Sequence, residues 1–561
     1  MRPSLVVGPT DVPLLDRTIG GALDDAVKAW GERDALIDRG QGVRLSWAAL
    51  AARAEAFGAG LIALGLAPGD RVGVWSLNRV EWVIAQFATA KAGLVLVSIN
   101  PAYRLSELDH ALRLSGCAAM IIAPPFKSSD YPAMIASLLP QLAGHGGDGA
   151  IAPRFPNLRH IIQMGPATLP GAMGFDDVER AGATAGTAAL HERASAQSPG
   201  DAVNIQFTSG TTGSPKGVTL SHRNILNNGY FVGRGIELGP EDRLCIPVPL
   251  YHCFGLSMGN LACLTHGAAM VYPGEGFDPL ATLEAVAGER CTALYGVPTM
   301  FIAELDHPRF DNFDLSSLRT GIMAGSPCPV EVMRRVATRM HMAEVTICYG
   351  MTETSPVSFQ SATTDPLERR VTTVGRVHPH LEVKIVDEGG AIVPRGTSGE
   401  LYTRGYSVML GYWEDPEQTA TVKDAEGWMH SGDFAQIDHD GFCNIVGRLK
   451  DMVIRGGENL YPREIEEYLY THPAIRDVQV FGVPDPHYGE ELCAWIILKD
   501  AGFHSAEEIR DFCRGQIAHQ KVPRYIKFVD TMPMTVTGKV QKFRMREAMV
   551  AELALASEIT A

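Results

Sequence analysis

Thr208-Ser209-Gly210-Thr211-Thr212-Gly213-Ser214-Pro215-Lys216-Gly217, preceded by the apolar run Val203-Asn204-Ile205-Gln206-Phe207, decides how the chain is read. The apolar run predicts a strand. Glycine-rich backbone beyond it can turn tightly and aim several N–H groups at one anion. Hydroxyl side chains and Lys216 add further donors, which is the chemistry a polyphosphate requires. A nucleoside-triphosphate P-loop needs Gly-x-x-x-x-Gly-Lys-[Ser/Thr] opening a helix. Here Pro215 precedes the lysine and Gly217 follows it, so that motif fails. Pro215 also disfavours a helix running through the lysine.

Working outward, residues 21–38 and 47–64 carry Ala, Leu, Phe and Ile at helical spacing and predict two helices. Short apolar strands, Arg71–Trp75 and Gly93–Ile99 among them, alternate with such helices. Alternation of this kind predicts an α/β fold with doubly wound, mostly parallel sheets covered on both faces. The glycines between Gly58 and Gly65 follow a helix and lack dinucleotide-site spacing. Residues 142–156 and 181–200, rich in Gly, Ala and Ser, predict surface loops. Strand-like segments with turn signals crowd 371–446 and predict antiparallel sheet or a small β-barrel. Past Lys450 the pattern changes to a mixed α+β arrangement. The expected division is therefore 1–448, a large N-terminal domain, and 449–561, a smaller mobile C-terminal domain.

A chain of 561 residues exceeds what one core organises, so several cores are expected. The 49 Lys and Arg against 64 Asp and Glu leave a net charge of −15. An acidic chain repels nucleic acid and anionic lipid, which argues against those partners. Ten cysteines occur singly with no Cys-x-x-Cys pair, which predicts free thiols in a reducing compartment. The N-terminus lacks a signal-peptide h-region, and no apolar run reaches the ~18–20 residues of a membrane helix. A cytoplasmic protein without an integral membrane segment is expected, and a homodimer stays open.

The phosphate loop resembles the signature of the adenylate-forming superfamily, which includes acyl-CoA synthetases, peptide-synthetase adenylation domains and beetle luciferases. Further motifs resembling that family follow in order over residues 200–545. The resemblance implies that Thr208, Ser209, Gly210, Thr211, Thr212, Gly213 and Lys216 bind ATP, with Thr208 also close to the chemistry. Tyr349-Gly350-Met351-Thr352-Glu353-Thr354 resembles a second signature. It implies that Tyr349 stacks on adenine beside Gly350, that Thr352 contacts phosphate and that Glu353 helps hold Mg2+. Ala324-Gly325-Ser326-Pro327 resembles the small-residue strand end flanking adenine and the acyl channel. Asp433 and Arg448 resemble the ribose-binding pair, each with a structural ion pair as the alternative.

By the same resemblance, Lys450 is a hinge, and Gly456 and Gly457 lie on a segment that lets the pantetheine of coenzyme A pass close to backbone. Lys539, in Pro533-Met534-Thr535-Val536-Thr537-Gly538-Lys539, resembles the catalytic lysine of the family, with Met534 and Thr537 departing from its usual pattern. His252, in Pro249-Leu250-Tyr251-His252-Cys253-Phe254-Gly255, resembles a segment lining the carboxylate end of the acyl pocket. A buried, hydrogen-bonded histidine is the alternative there. The implied cofactors are ATP, Mg2+ and coenzyme A. The implied reaction joins a carboxylic acid to coenzyme A through an acyl-adenylate. Asp11–Thr18 and Ser98–Arg104 resemble the medium-chain acyl-CoA ligase branch. No carrier-protein domain follows in the sequence, which disfavours a multi-module synthetase. An aryl acid or a short thioether acid fits the apolar pocket candidates Tyr251, Val297, Ala324 and Met351 as well, and a luciferase-like oxygenase would share every adenylation motif.

Overall fold

A computed structural model of the chain describes residues 2–145, 149–166, 168–208, 215–326, 328–448, 451–456, 458–499, 504–514, 516–535 and 540–553. Among these residues the strands form four sheets. The first runs in the order Gly411–Tyr412, Lys216–Ser221, Ala202–Thr208, Val95–Ile99, Arg71–Trp75, Ala119–Ile122, His160–Gln163, Met173–Gly174. It is parallel from Ala202–Thr208 onward and antiparallel at the hairpin that carries Lys216. The second contains Glu344–Gly350, Thr320–Met323, Ala293–Gly296, Arg243–Cys245, Ala269–Tyr272 and Asp34–Asp38 in parallel, with antiparallel strands at both edges. The α/β expectation is met.

Helices cover these sheets. Val80–Ala92 is buried along its whole length and packs on Ile19–Trp30, Trp47–Ala63 and Ala188–Ala196. Its buried charges are paired, Glu81 with Arg79 at 3.2 Å and Lys91 with Glu55 at 2.7 Å. The glycines within 58–65 have a packing role: a Cβ on Gly60 would lie 2.2 Å from the Val178 carbonyl oxygen, so Trp47–Ala63 and Phe175–Ala185 touch backbone to backbone. Phe57 and Phe175 stack with ring centroids 3.9 Å apart at the same contact.

Two sequence expectations are corrected. The helix anticipated over 21–38 ends at Trp30, and Asp34–Asp38 is a strand instead. Its Ala, Leu and Ile pair with Ala269–Tyr272 and Val43–Ser46, and sheet pairing overrides the local helical spacing. Most of 181–200, anticipated as loop, lies in the helices Phe175–Ala185 and Ala188–Ala196. Alanine is the best helix former, and small side chains suit close helix contacts.

The region 371–446 contributes an antiparallel sheet in the order Leu5–Val7, Leu381–Val386, Gly399–Gly405, Met429–Ile437, Cys443–Arg448. Its pairing order is open, and the backbone of Val374 and Gly375 bonds the outer edge at Cys443. A fourth sheet joins Glu458–Leu460, Val453–Arg455, Gly489–Leu498, Ile475–Asp485 and Tyr525–Phe528. Two hydrophobic clusters serve it, and every residue in them lies at or beyond Val453. Ser505 caps Ala506–Cys513, its hydroxyl accepting the Glu508 N–H at 3.1 Å.

Candidate active site

Thr208 ends one strand and Lys216 begins the next, and the two are direct partners in the antiparallel register. Lys216 opens a strand rather than a helix, as Pro215 anticipates. Ser209, Gly210, Thr211, Thr212 and Gly213 lie outside the described residues. The Lys216 ammonium bonds Gln418 Oε1 at 2.7 Å and sits 5.0 Å from the centroid of the Tyr412 ring.

Tyr412 connects this hairpin to the acidic signature. Its hydroxyl donates to Glu353 Oε1 at 2.9 Å. Glu353 lies in the turn Thr352–Thr354 and is buried. Burial and the neighbouring Glu353 charge push the Tyr412 phenol up, so it remains a donor at ordinary pH. The segment around Tyr412 is fastened on two sides. Met409 N–H bonds the Glu353 carbonyl at 2.9 Å, while Leu410 and Trp413 N–H bond Thr219 and Gly217 carbonyls at 3.0 and 2.7 Å. Sequence reading missed Tyr412, because its partner stands 59 positions away and no local pattern marks the contact.

The turn that delivers Glu353 begins at the end of Glu344–Gly350. Gly350 admits no side chain, since a Cβ there would lie 1.7 Å from the Pro356 carbonyl oxygen. Tyr349, one residue earlier, donates its hydroxyl to Asp433 Oδ2. Burial and then the Asp433 charge raise that phenol well above its ordinary range. Arg448 is the register partner of Asp433 on the adjacent strand, and its Nε lies 3.2 Å from Asp433 Oδ1. Burial by itself lowers the Arg448 pKa, and the charges of Asp433 and Asp451, with Tyr349, more than offset it. Tyr349, Asp433 and Arg448, far apart in sequence, thus form one cluster. Tyr349 and Glu353 belong to one short segment, so this cluster and the Tyr412–Glu353–Lys216 cluster are ends of a single locus.

Gly325 and Ser326 follow the strand Thr320–Met323. Gly325 takes φ +92°, a left-handed conformation suited to glycine, and its missing side chain leaves room beside Val297. Tyr251, Val297 and Ala324 are buried, and with the half-buried Met351 they share one hydrophobic cluster. His252 is half-buried, and its Nδ1 accepts the Phe254 N–H at 3.3 Å and touches Cys253 Sγ at 3.5 Å. Gly456, at φ +60°, follows the strand Val453–Arg455 and donates its N–H to Tyr488 O at 2.8 Å. Lys450, Gly457 and Lys539 lie outside the described residues.

One carboxylate at a phosphate-loop hairpin fits Mg2+, which is held by nucleotide phosphates, waters and one or two carboxylates rather than by a protein cage. Among the described residues no group of three or more His, Cys, Asp or Glu forms such a cage. None of the described helices is long and apolar enough to cross a membrane.

The sequence model of the AMP-binding enzyme family matches residues 23–413, and that of the AMP-binding enzyme C-terminal domain matches 464–539. The chain belongs to the AMP-binding enzyme family. This AMP-binding enzyme is 48% identical to the putative acyl-CoA synthetase YngI of Bacillus subtilis, covering 97% of the chain and 99% of the relative. It is 45% identical to the mitochondrial medium-chain acyl-CoA ligase ACSF2 of Danio rerio, covering 99% and 92%. Among solved structures, the anthranilate CoA ligase AuaEII in complex with anthranoyl-AMP matches this AMP-binding enzyme with a TM-score of 0.85 and 27% identity, covering 97% and 99%.

Proposed function

We propose that this AMP-binding enzyme is an ATP-dependent acyl-CoA ligase whose acid is a medium-chain fatty acid. The observation that carries the proposal is the meeting of the Thr208–Lys216 hairpin with the Tyr349–Glu353 segment and the Asp433–Arg448 pair. Full-length relatives named acyl-CoA synthetase and medium-chain acyl-CoA ligase support it. The hydrophobic cluster shared by Tyr251, Val297, Ala324 and Met351 supports a hydrophobic tail.

In the proposed mechanism, Tyr349 offers its ring to adenine while Asp433 accepts the two ribose hydroxyls, a carboxylate being a natural acceptor pair for a diol. Thr208, Lys216 and the loop Ser209–Gly213 hold the phosphates, and Thr352 adds a hydroxyl. Glu353 would hold Mg2+, which would supply positive charge against the pyrophosphate leaving group. A carboxylate oxygen of the acid attacks the α-phosphorus, and the bond to pyrophosphate breaks. The protein's task is to align two anions and screen their repulsion, with Lys216 and Lys539 supplying positive charge. In the second half-reaction the sulfur of coenzyme A attacks the acyl carbonyl, AMP departs and the thiol proton passes to solvent. His252 is assigned to the carboxylate end of the acid, and Gly456 and Gly457 to the passage of pantetheine past the backbone.

Division at residues 448 and 449, with Lys450 as the hinge, belongs to the same proposal. The separate hydrophobic clusters beyond Val453 support it. A reducing, cytoplasmic setting is supported by ten buried cysteines, none of them joined in a disulfide. A panel of alkanoic, aryl and thioether acids, scored for AMP and pyrophosphate with and without coenzyme A, tests the proposal. Highest kcat/KM on medium-chain acids with AMP release is expected. Release of ADP, or no turnover of any acid, would refute it.

A further inference from the structure

Tyr412 touches both charged groups assigned to the triphosphate. Its hydroxyl bonds the Glu353 carboxylate at 2.9 Å, and the Lys216 ammonium lies over its ring, 5.0 Å from the centroid. The Lys216 ammonium donates to Gln418 Oε1, 2.7 Å away. The segment that carries the ring is fastened to both loops. Gly411–Tyr412 pairs with the phosphate-hairpin strand at Val218 and Thr219, and flanking N–H groups are bonded to Glu353, Thr219 and Gly217. One segment, Met409–Trp413, thus ties the loop that carries Lys216 to the turn that carries Glu353.

Opposite charges brought together in a half-buried site would neutralise each other before a ligand arrived. A phenol that touches both allows a favourable contact with each, through hydroxyl to carboxylate and ring face to ammonium. Resting on the ligase assignment above, we infer that Tyr412 is a positioning residue that holds the Glu353 carboxylate and the Lys216 ammonium apart, so that a metal-bound triphosphate engages both. Hydroxyl and ring have separable duties. The hydroxyl orients the metal-binding carboxylate, and the ring face seats the lysine.

Calorimetric ATP titration of the full-length protein, with and without MgCl2, reads these duties independently of turnover. Wild type is expected to bind ATP more tightly when Mg2+ is present. Tyr412→Phe keeps the ring and should retain metal-free ATP affinity to within about twofold, while MgATP affinity falls about tenfold, the scale of one hydrogen bond to a charged group. Tyr412→Leu should weaken ATP binding in both conditions. KM for MgATP should rise in Tyr412→Phe by the same factor as the dissociation constant. Glu353→Gln should reproduce the Tyr412→Phe pattern, and combining the two should add little, because both act on one contact. Unchanged Mg2+ dependence in Tyr412→Phe, an equal loss with and without metal, or additive losses in the double variant would overturn the inference while leaving the ligase assignment standing. A wild type that binds no ATP in either condition would overturn the assignment and the inference with it.

Discussion

Asp433 and Glu353 lie at opposite ends of one locus, both are 7% exposed, and both accept a tyrosine hydroxyl. They differ in what else touches the tyrosine or the carboxylate. At Asp433 the Arg448 guanidinium lies 3.2 Å from the carboxylate itself, so charge is balanced within the pair. At Glu353 the tyrosine that donates to the carboxylate also carries the Lys216 ammonium over its ring, and that ammonium bonds Gln418. A balanced carboxylate is a rigid acceptor for neutral hydroxyls. A carboxylate at a phenol hydroxyl and an ammonium over the same ring suit a ligand that carries charge of both signs, namely a triphosphate with its metal. The ribose end is built to recognise, and the phosphate end is built to manage charge.

The widest test of that division removes the charge assigned to the transition state alone. Lys539→Ala should lower acid-dependent pyrophosphate exchange by about 1,000-fold or more, in the range of a lost electrostatic stabiliser. Conversion of supplied acyl-AMP to thioester should persist. Parallel loss of both half-reactions in a folded protein would contradict the role.

Asp433→Ala should come next. Hydrogen bonds to a charged group are worth about 1.5–3 kcal/mol, so KM for ATP should rise about 10–100-fold. Its Mg2+ dependence should match wild type, in contrast to Glu353→Gln, and a shared metal phenotype would erase the distinction between the two ends. Tyr349→Phe should have a smaller effect, raising KM for ATP about three- to tenfold, because Arg448 still holds Asp433.

The smallest effect concerns a buried carboxyl outside the locus. Glu304 is 1% exposed, and neither of its side-chain oxygens has a hydrogen-bond partner. Burial raises its pKa well above the ordinary value of 4.5. The folded protein therefore keeps a proton that the unfolded chain releases, and this group makes stability fall as pH rises from 4.5 toward the folded value. Glu304→Gln should remove that slope, so the melting temperature of the variant relative to wild type should climb by about 2 °C between pH 5 and pH 8. A constant difference across that range would show that Glu304 does not titrate with folding.

Much of the locus was legible in the sequence because each signature is contiguous. Tyr349-Gly350-Met351-Thr352-Glu353 encodes a strand end and a turn in adjacent residues, and Gly350 has no room for a side chain. Contacts made only by folding were not legible. Tyr412 reaches Glu353 across strands, and Asp34–Asp38 becomes a strand through partners more than 200 positions away in Ala269–Tyr272. The Ala-rich stretch after Phe175 resembled loop for a related reason. Its small residues serve helix contacts such as Gly182 against the Ala56 carbonyl, which composition alone does not reveal.

Attack of the acid on the innermost phosphorus of ATP is tested most directly by an isotope label. With a medium-chain acid carrying 18O in its carboxylate, one turnover with coenzyme A should leave a single 18O in the phosphate of AMP and none in pyrophosphate. Label appearing in inorganic phosphate, or AMP released without it, would contradict the account.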